Sequence, residues 1–325
     1  MNEGDIEEPG LVVACVTTAA QAERLLAAGY CPVECAFGER SVVDELELDH
    51  HGELSGREAV SLRAWRDLHG RRRHDPRFVT AGAVDADAGF AMAALAGLVP
   101  APTDEDAQRA AAIVEVIEII DTDPIGRDLL HHPGFGFLRL WSLLHRDGPK
   151  TSGAAAVHAW SALCRREQAV LQPLLDAALE SEQHRRMLAE EQLETCRVEV
   201  TGLDDRVLVL DGATVWGFDI WYARDVSSPA GQPEAWDSPI VFSRNPAGTV
   251  TVGTPNVEVA ERLLGPGGLR TVLPELQPPG WGGRESIGGS PRGEPLDQDQ
   301  VVAAARKLAT RLSAGPRRRP AGNER

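Results

Sequence analysis

LVVACVTTAAQAERLLAAGYCPVECAF, residues 11–37, decides the fold class. LVVACV (11–16) is a continuous apolar run rich in Val, the mark of a buried strand. TTAAQAERLLAAG (17–29) starts with a Thr cap, carries Ala and Leu throughout and stops at Gly29, so it predicts a short helix. CPVECAF (31–37) is apolar again and reads as a second strand. Outward from this unit the rhythm repeats. VVDELEL (42–48) reads as a strand, and SGREAVSLRAWRDLHG (55–70) as a helix with Ser55 as cap and Glu58 completing a capping box. RFVTAGAV (77–84) is another strand and GFAMAALAGL (89–98) another helix. Strands alternating with helices predict an α/β domain: a mostly parallel sheet with helices on both faces.

Further along, DEDAQRAAAIVEVIEIID (104–121) reads as a helix with an acidic start. Residues 124–150 read as a loop and a short helix, and 154–196 as one long helix or two shorter ones, bent at Pro173. The period then changes to two. Residues 197–224 predict strands with turns at 202–205 and 211–212, and SPIVFSR (238–244) with TVTVGTP (249–255) predicts a hairpin across Asn245-Pro246-Ala247-Gly248. A helix at 257–265, the glycine-rich run PGWGGRESIGGSPRG (279–293) and a last helix at 300–313 follow. The layout expected is an α/β domain over 1–150, a helical linker over 151–196, a smaller α+β domain over 197–315 and a disordered basic tail over 316–325.

Two domains are the default for 325 residues, because single cores stop growing near this length. The chain has 33 basic against 49 acidic residues, a net charge of −16. That balance argues against a binder of nucleic-acid polymers, which needs a basic surface to release counterions. It leaves room for a small anionic substrate held by a local cationic pocket or a metal. Five scattered cysteines do not make a secreted disulfide framework. Cys31 and Cys35 form a C-x₃-C pair with no second pair to complete a metal site, so both read as thiols beside a strand. No apolar run approaches the ~20 residues of a membrane span, and the acidic start MNEGDIEEPG lacks a signal-peptide n-region. A cytoplasmic protein without membrane contact is expected; a homodimer is compatible.

Three acidic clusters could carry chemistry. Asp49-His50-His51 ends the strand-like stretch VVDELEL, and Asp with His suits a divalent cation such as Mn²⁺, Zn²⁺ or Fe²⁺. Asp85-Ala86-Asp87 lies between a predicted strand and a predicted helix, where side chains reach the crevice at the carboxyl end of a sheet. Asp121-Thr122-Asp123 ends the 104–121 helix. Together they would supply ligands for one or two metals. The plain alternative is capping: Asp in a strand-to-helix turn often only accepts helix N–H groups, and Asp before Pro124 is common in turns. His131-His132 precedes Pro133-Gly134 and reads as loop. In the glycine-rich run, Gly282, Gly283, Gly288 and Gly289 could turn backbone N–H groups toward an anion as a nest. Arg284, Arg292 and Arg244 could add charge-assisted contacts; flexible surface loop is the plain alternative. Trp281 is expected to pack beneath it.

LDHHG (48–52) resembles the signature of the DHH phosphoesterases, and the order of a catalytic α/β domain, helical linker and small domain with a glycine-rich motif is similar to theirs. The resemblance implies a Mn²⁺-dependent hydrolase of phosphoesters or phosphoanhydrides acting on a small phosphorylated or nucleotide substrate. On it, Asp49, His50, Asp85 and Asp87, with Asp121 as a further ligand, would bind one or two Mn²⁺ ions. Asp85, His50 and His51 would be catalytic, and Arg244, Arg284, Arg292 and the four glycines would hold the substrate. Two features depart from the family. The first strand, VACVTTAAQ, has no acidic residue at its end, and Arg284-Glu285 stand where the family's glycine-rich motif has His. Two rivals follow from those departures: a ligand-binding protein with a degenerate metal site, or a metallohydrolase of a non-phosphate bond.

Overall fold

A computed structural model of the chain describes residues 10–37, 40–41, 48–49, 58–122, 129–145, 152–222, 231–291 and 293–313. The chain divides into two compact units, Met1–Glu182 and Gln183–Arg325. Among the described residues both units are mixtures of helix and strand, so the protein is α/β in the first unit and α+β in the second.

In the first unit the strand β1 (Val12–Val16) leads into α1 (Ala19–Ala27). The Thr18 side chain accepts a hydrogen bond from Gln21 N–H at 3.3 Å, the cap the sequence offers. The chain turns at Gly29, whose φ of 86° is open to glycine, and enters β2 (Cys31–Pro32). CPVECAF is not one strand: Glu34 has a left-handed φ of 47°, and a small hairpin of β3 (Ala36–Phe37) and β4 (Arg40–Ser41) follows. The strand expected over 42–48 falls almost wholly outside the described residues. Next come α2 (Val60–Asp67), β5 (Arg77–Ala81) and α3 (Ala86–Leu95). β5 pairs in parallel with β1 on one side and β2 on the other.

Alternation along β5 sorts the two faces. Val79 packs with Val16, Ala22 and Cys35, on the side of α1. Phe78 faces the larger core built by α2, α3, α4 (Gln108–Thr122), α5 (Phe135–His145) and α6 (Gly153–Arg165). α3 is apolar on every side and buried from Asp87 to Leu95, as a helix without a polar face must be. Trp141 and Trp160 stack at 5.1 Å beneath it, and Phe90 meets Trp160 edge-on at 5.5 Å. Gly89 is the residue that lets α3 approach them: a Cβ there would stand 3.2 Å from Trp160 Nε1.

α7 (Gln168–Thr195) contains both Pro173 and the division between the units. In the second unit β6 (Val207–Asp211), β7 (Ile240–Arg244), β8 (Val250–Gly253), β9 (Gly282–Gly283) and β10 (Ile287–Gly289) form a sheet in the order β6-β7-β8-β10-β9, parallel only between β6 and β7. The β7–β8 hairpin is the one read from the sequence. Residues 197–224 are not a run of strands. Arg197 makes only an isolated bridge to Leu210, and Phe218–Trp221 is a helical turn, α8. Phe218, Trp221 and Tyr222 are buried at helical spacing, which overrides their strand propensity. α9 (Val257–Leu264), α10 (Gly268–Val272) and α11 (Gln298–Ser313) complete the unit. α11 buries Val301, Ala304, Ala305, Leu308 and Leu312 as one stripe. Among the described residues no helix is long and apolar enough to cross a membrane.

Candidate functional site

Three segments meet at the carboxyl end of the parallel strands. Gly82 N–H donates to Val16 C=O at 2.8 Å, joining the ends of β5 and β1. Ala81 N–H donates to Glu34 C=O at 3.3 Å, joining the ends of β5 and β2. Glu34 N–H in turn donates to Leu48 C=O at 2.9 Å, which brings in the segment bearing Asp49. Asp49 is buried, its carbonyl accepts from Arg63 on α2 at 3.0 Å, and its charge reaches the buried Cys35 thiol. Burial, then Asp49, push that thiol up to about 11.

Glu34 is the centre of this region, and sequence reasoning missed it. Its side chain is buried and its carboxyl is held well above the usual carboxylate range, first by burial and then by the charges of Asp85, Asp87 and Asp121. Contact with the Asp87 side chain raises it further. The signal in the sequence is one acid in the otherwise apolar CPVECAF, just past a strand. Glu118 on α4 is a second omission. Its carboxylate accepts from Ala59 N–H, and burial raises it above the ordinary range.

The charges of Asp85, Asp87 and Asp121 all bear on Glu34. Two of them also cap helices. Asp85 accepts from Ala88 N–H at 2.9 Å as the N-cap of α3. Asp87 reaches out of the first turn of α3 to α2, accepting from Val60 N–H at 2.9 Å and Ser61 N–H at 2.8 Å. Asp87 and Glu118 thus take the place of the expected Ser55–Glu58 capping box. Ser55 lies outside the described residues, the N-cap is Ala59, and Glu58 pairs instead with Arg66 at 3.0 Å on the surface. Carboxylate oxygens are suitable donors for a hard divalent cation. Among the described residues, however, no group of three His, Cys, Asp or Glu side chains is arranged to hold one. His50, His51 and Asp123 lie outside the described residues.

The residues expected to hold substrate lie in the second unit. Arg244 is engaged in structure: it sits opposite Asp211 in the β6–β7 register, pairs with it at 2.6 Å and donates to Leu296 C=O. Gly282, Gly283, Gly288 and Gly289 do not form a nest. They pair in an antiparallel ladder, Gly283 opposite Gly288 and Gly282 opposite Gly289, and side chains at Gly283 and Gly288 would collide with it. A Cβ on Gly283 would lie 2.3 Å from Gly288 Cα, and one on Gly288 2.2 Å from Leu273 Cδ1. Arg284 is half-buried at the turn of this hairpin, its N–H donating to Ile287 C=O at 2.7 Å. Arg292 lies outside the described residues. Trp281 is buried against Phe242. His132 stays in the loop before α5, its Nδ1 accepting from Gly134 N–H at 3.1 Å.

No established sequence family and no curated protein matches the chain. Among solved structures it is similar to a pGpG-specific phosphodiesterase from Vibrio, at 14% identity and a TM-score of 0.41, covering 62% of this chain and 65% of that one. It is also similar to an uncharacterized protein from Helicobacter pylori G27, at 11% identity and a TM-score of 0.21, covering 72% of this chain and 75% of that one. Both TM-scores lie below one half, so neither likeness assigns this chain an activity.

Proposed function

We propose that this chain is a hydrolase of the phosphoesterase kind, acting on a small phosphorylated or nucleotide substrate with a divalent cation, Mn²⁺ first. What supports the reading is that Glu34, Asp85 and Asp87 lie just past the ends of the parallel strands, that the charges of Asp85, Asp87 and Asp121 act on Glu34, and that Leu48, next to Asp49, is bonded to the Glu34 backbone. In open α/β sheets this is where ligands bind. Asp49, His50, Asp85 and Asp121 are the ligands we assign, with Asp87 facing the same group while it caps α2. A divalent ion held by them would lower the pKa of a bound water and offset phosphoryl charge. His51 would serve the leaving group as a proton donor.

One observation favours a rival. Asp85 and Asp87 already serve as caps, which is what a ligand-binding protein with a degenerate metal site would retain. Calorimetric titration of Mn²⁺ into chelator-stripped protein, with Asp49→Asn and Asp85→Asn beside the wild type, separates the two. Asn caps helices as well as Asp does, so the Asp85 change leaves the fold intact. The hydrolase reading expects saturable binding near two equivalents, weakened about tenfold or more by each change, and then turnover of a small phosphoester. Absence of specific Mn²⁺ binding leaves the ligand-binding protein.

A further inference from the structure

We infer that the outer edge of β1 pairs antiparallel with β1 of a second copy of this chain, about a two-fold axis at Ala14. Among the described residues β1 has a neighbour on one side only, β5. Val12 N–H donates to Pro76 C=O at 3.0 Å and Val16 C=O accepts from Gly82 N–H at 2.8 Å, so Val12, Ala14 and Val16 turn their backbone groups toward β5. Val13 and Cys15 therefore turn their N–H and C=O outward, past the edge of the sheet. That edge is open at the surface: Val12 is 41% exposed, and Cys15 is exposed. The other sheet edges are blunted. β2, opposite β1, is two residues long, as is β9 at one edge of the second unit's sheet. The other edge of that sheet, β6, is covered by residues 196–198: Val198 N–H donates to Val209 C=O at 3.0 Å, and Asp211 N–H to Cys196 C=O at 2.8 Å. β1 runs VVACV in unbroken register, without proline, charge or bulge. An edge of that kind is a template for another strand.

Charge selects a copy of the same chain as the occupant. Residues 10–22, GLVVACVTTAAQA, contain no Asp, Glu, Lys, Arg or His in a chain of net charge −16. A two-fold axis sets each residue near its own copy, and like charges opposed across strands repel. This stretch carries none to repel. With the axis at Ala14, Val13 lies opposite Cys15 of the second copy, and the pair exchanges both of its N–H···O=C bonds, once on each side of the axis. Ala14 meets its own copy as the pair without hydrogen bonds, where Cα atoms stand ~4.5 Å apart, and its methyl group is small enough for that approach. The two parallel sheets then point their carboxyl ends in opposite directions, so each copy keeps its own candidate site open. The pairing does not depend on the hydrolase reading.

Light scattering on the full chain across a dilution series is expected to show a dimer. Cys15→Pro removes one outward N–H from each copy and leaves the donors of the β1–β5 ladder in place. It is expected to raise the dimer Kd about tenfold or more, with Cys15→Ser within about threefold of wild type. Cross-linking decides even where Cys15→Pro does not fold. In a Cys15→Ser background, Ala14→Cys sets a thiol opposite its own copy, within the ~4.4–6.8 Å between Cα atoms that a disulfide spans, and oxidation with diamide is expected to give a linked dimer. Val12→Cys in the same background faces Val16 of the second copy, far from its twin, and is expected to stay unlinked. A monomer at every dilution overturns the inference and leaves the edge to an extended segment of another protein. So does a dimer that Cys15→Pro leaves equally tight, or one that Val12→Cys links as readily as Ala14→Cys, since the contact would then lie elsewhere.

Discussion

Asp87 sits in the first turn of α3 and caps α2, a helix that begins twenty-seven residues earlier in the chain. Both of its oxygens accept buried N–H groups. Asp85 accepts one N–H and is exposed. Two carboxylates of the same turn should therefore differ in what they contribute. Asp87→Ala strands two buried donors and is expected to destabilise the protein by about 3 kcal/mol, against about 1 kcal/mol for Asp85→Ala. Urea unfolding compares them directly, and equal losses would show that Asp87 does not carry the start of α2. The acidic turn itself was legible in the sequence, as was the choice between capping and ligation. That it feeds two helices was not, because the contact joins residues far apart in the chain. Glu34 was missed, although it is the one acid in CPVECAF, and its left-handed backbone leaves no trace in residue types.

At the scale of elements, local pattern succeeded where one face or one cap decides. β1, α1, β5 and the β7–β8 hairpin fall where alternation, Thr18 and Asn245-Pro246-Ala247-Gly248 place them. It failed at 218–221, where four residues rich in aromatic side chains form α8: Trp221 Nε1 donates to Ala189 C=O on α7 and Asp219 pairs with Arg185 at 2.7 Å. Those partners are more than thirty residues upstream. The glycine-rich run shows the same limit from the other side. Its composition points equally to a nest, a loop or a close pair of strands, and only packing against Leu273 selects the strands. That choice is testable, because the glycines are not equivalent. A Cβ on Gly282 meets nothing within 4 Å, whereas one on Gly283 stands 2.4 Å from Ile287 O. Gly283→Ala is expected to lower stability by about 1–3 kcal/mol through overpacking, with Gly282→Ala within about 0.5 kcal/mol of wild type. Thermal unfolding of the two variants decides it, and equal melting temperatures would restore the loop.

For the molecule as a whole, the charge sets how an anionic substrate would arrive. The net charge of −16 gives a repulsive long-range field, and many of the arginines are already neutralised by neighbours. Arg66 pairs with Glu58 and Asp67, Arg77 with Asp75, Arg206 with Asp204 and Arg244 with Asp211. These paired arginines do not add to an attractive field, so attraction must come from groups close to the site. Screening should act in the direction opposite to that of an enzyme with a basic cleft. At ~10 mM salt the Debye length is ~30 Å and repulsion spans the molecule; at ~100 mM it is ~10 Å and only near groups are felt. With Mn²⁺ held constant, kcat/KM for a dianionic phosphoester is expected to rise about two- to fivefold over that range. KM should carry the change, because the field acts on arrival and not on the bound state. A fall in kcat/KM over the same range would mean that a local cationic surface outweighs the acid excess, and the substrate side of the site would then have to be sought among arginines such as Arg284.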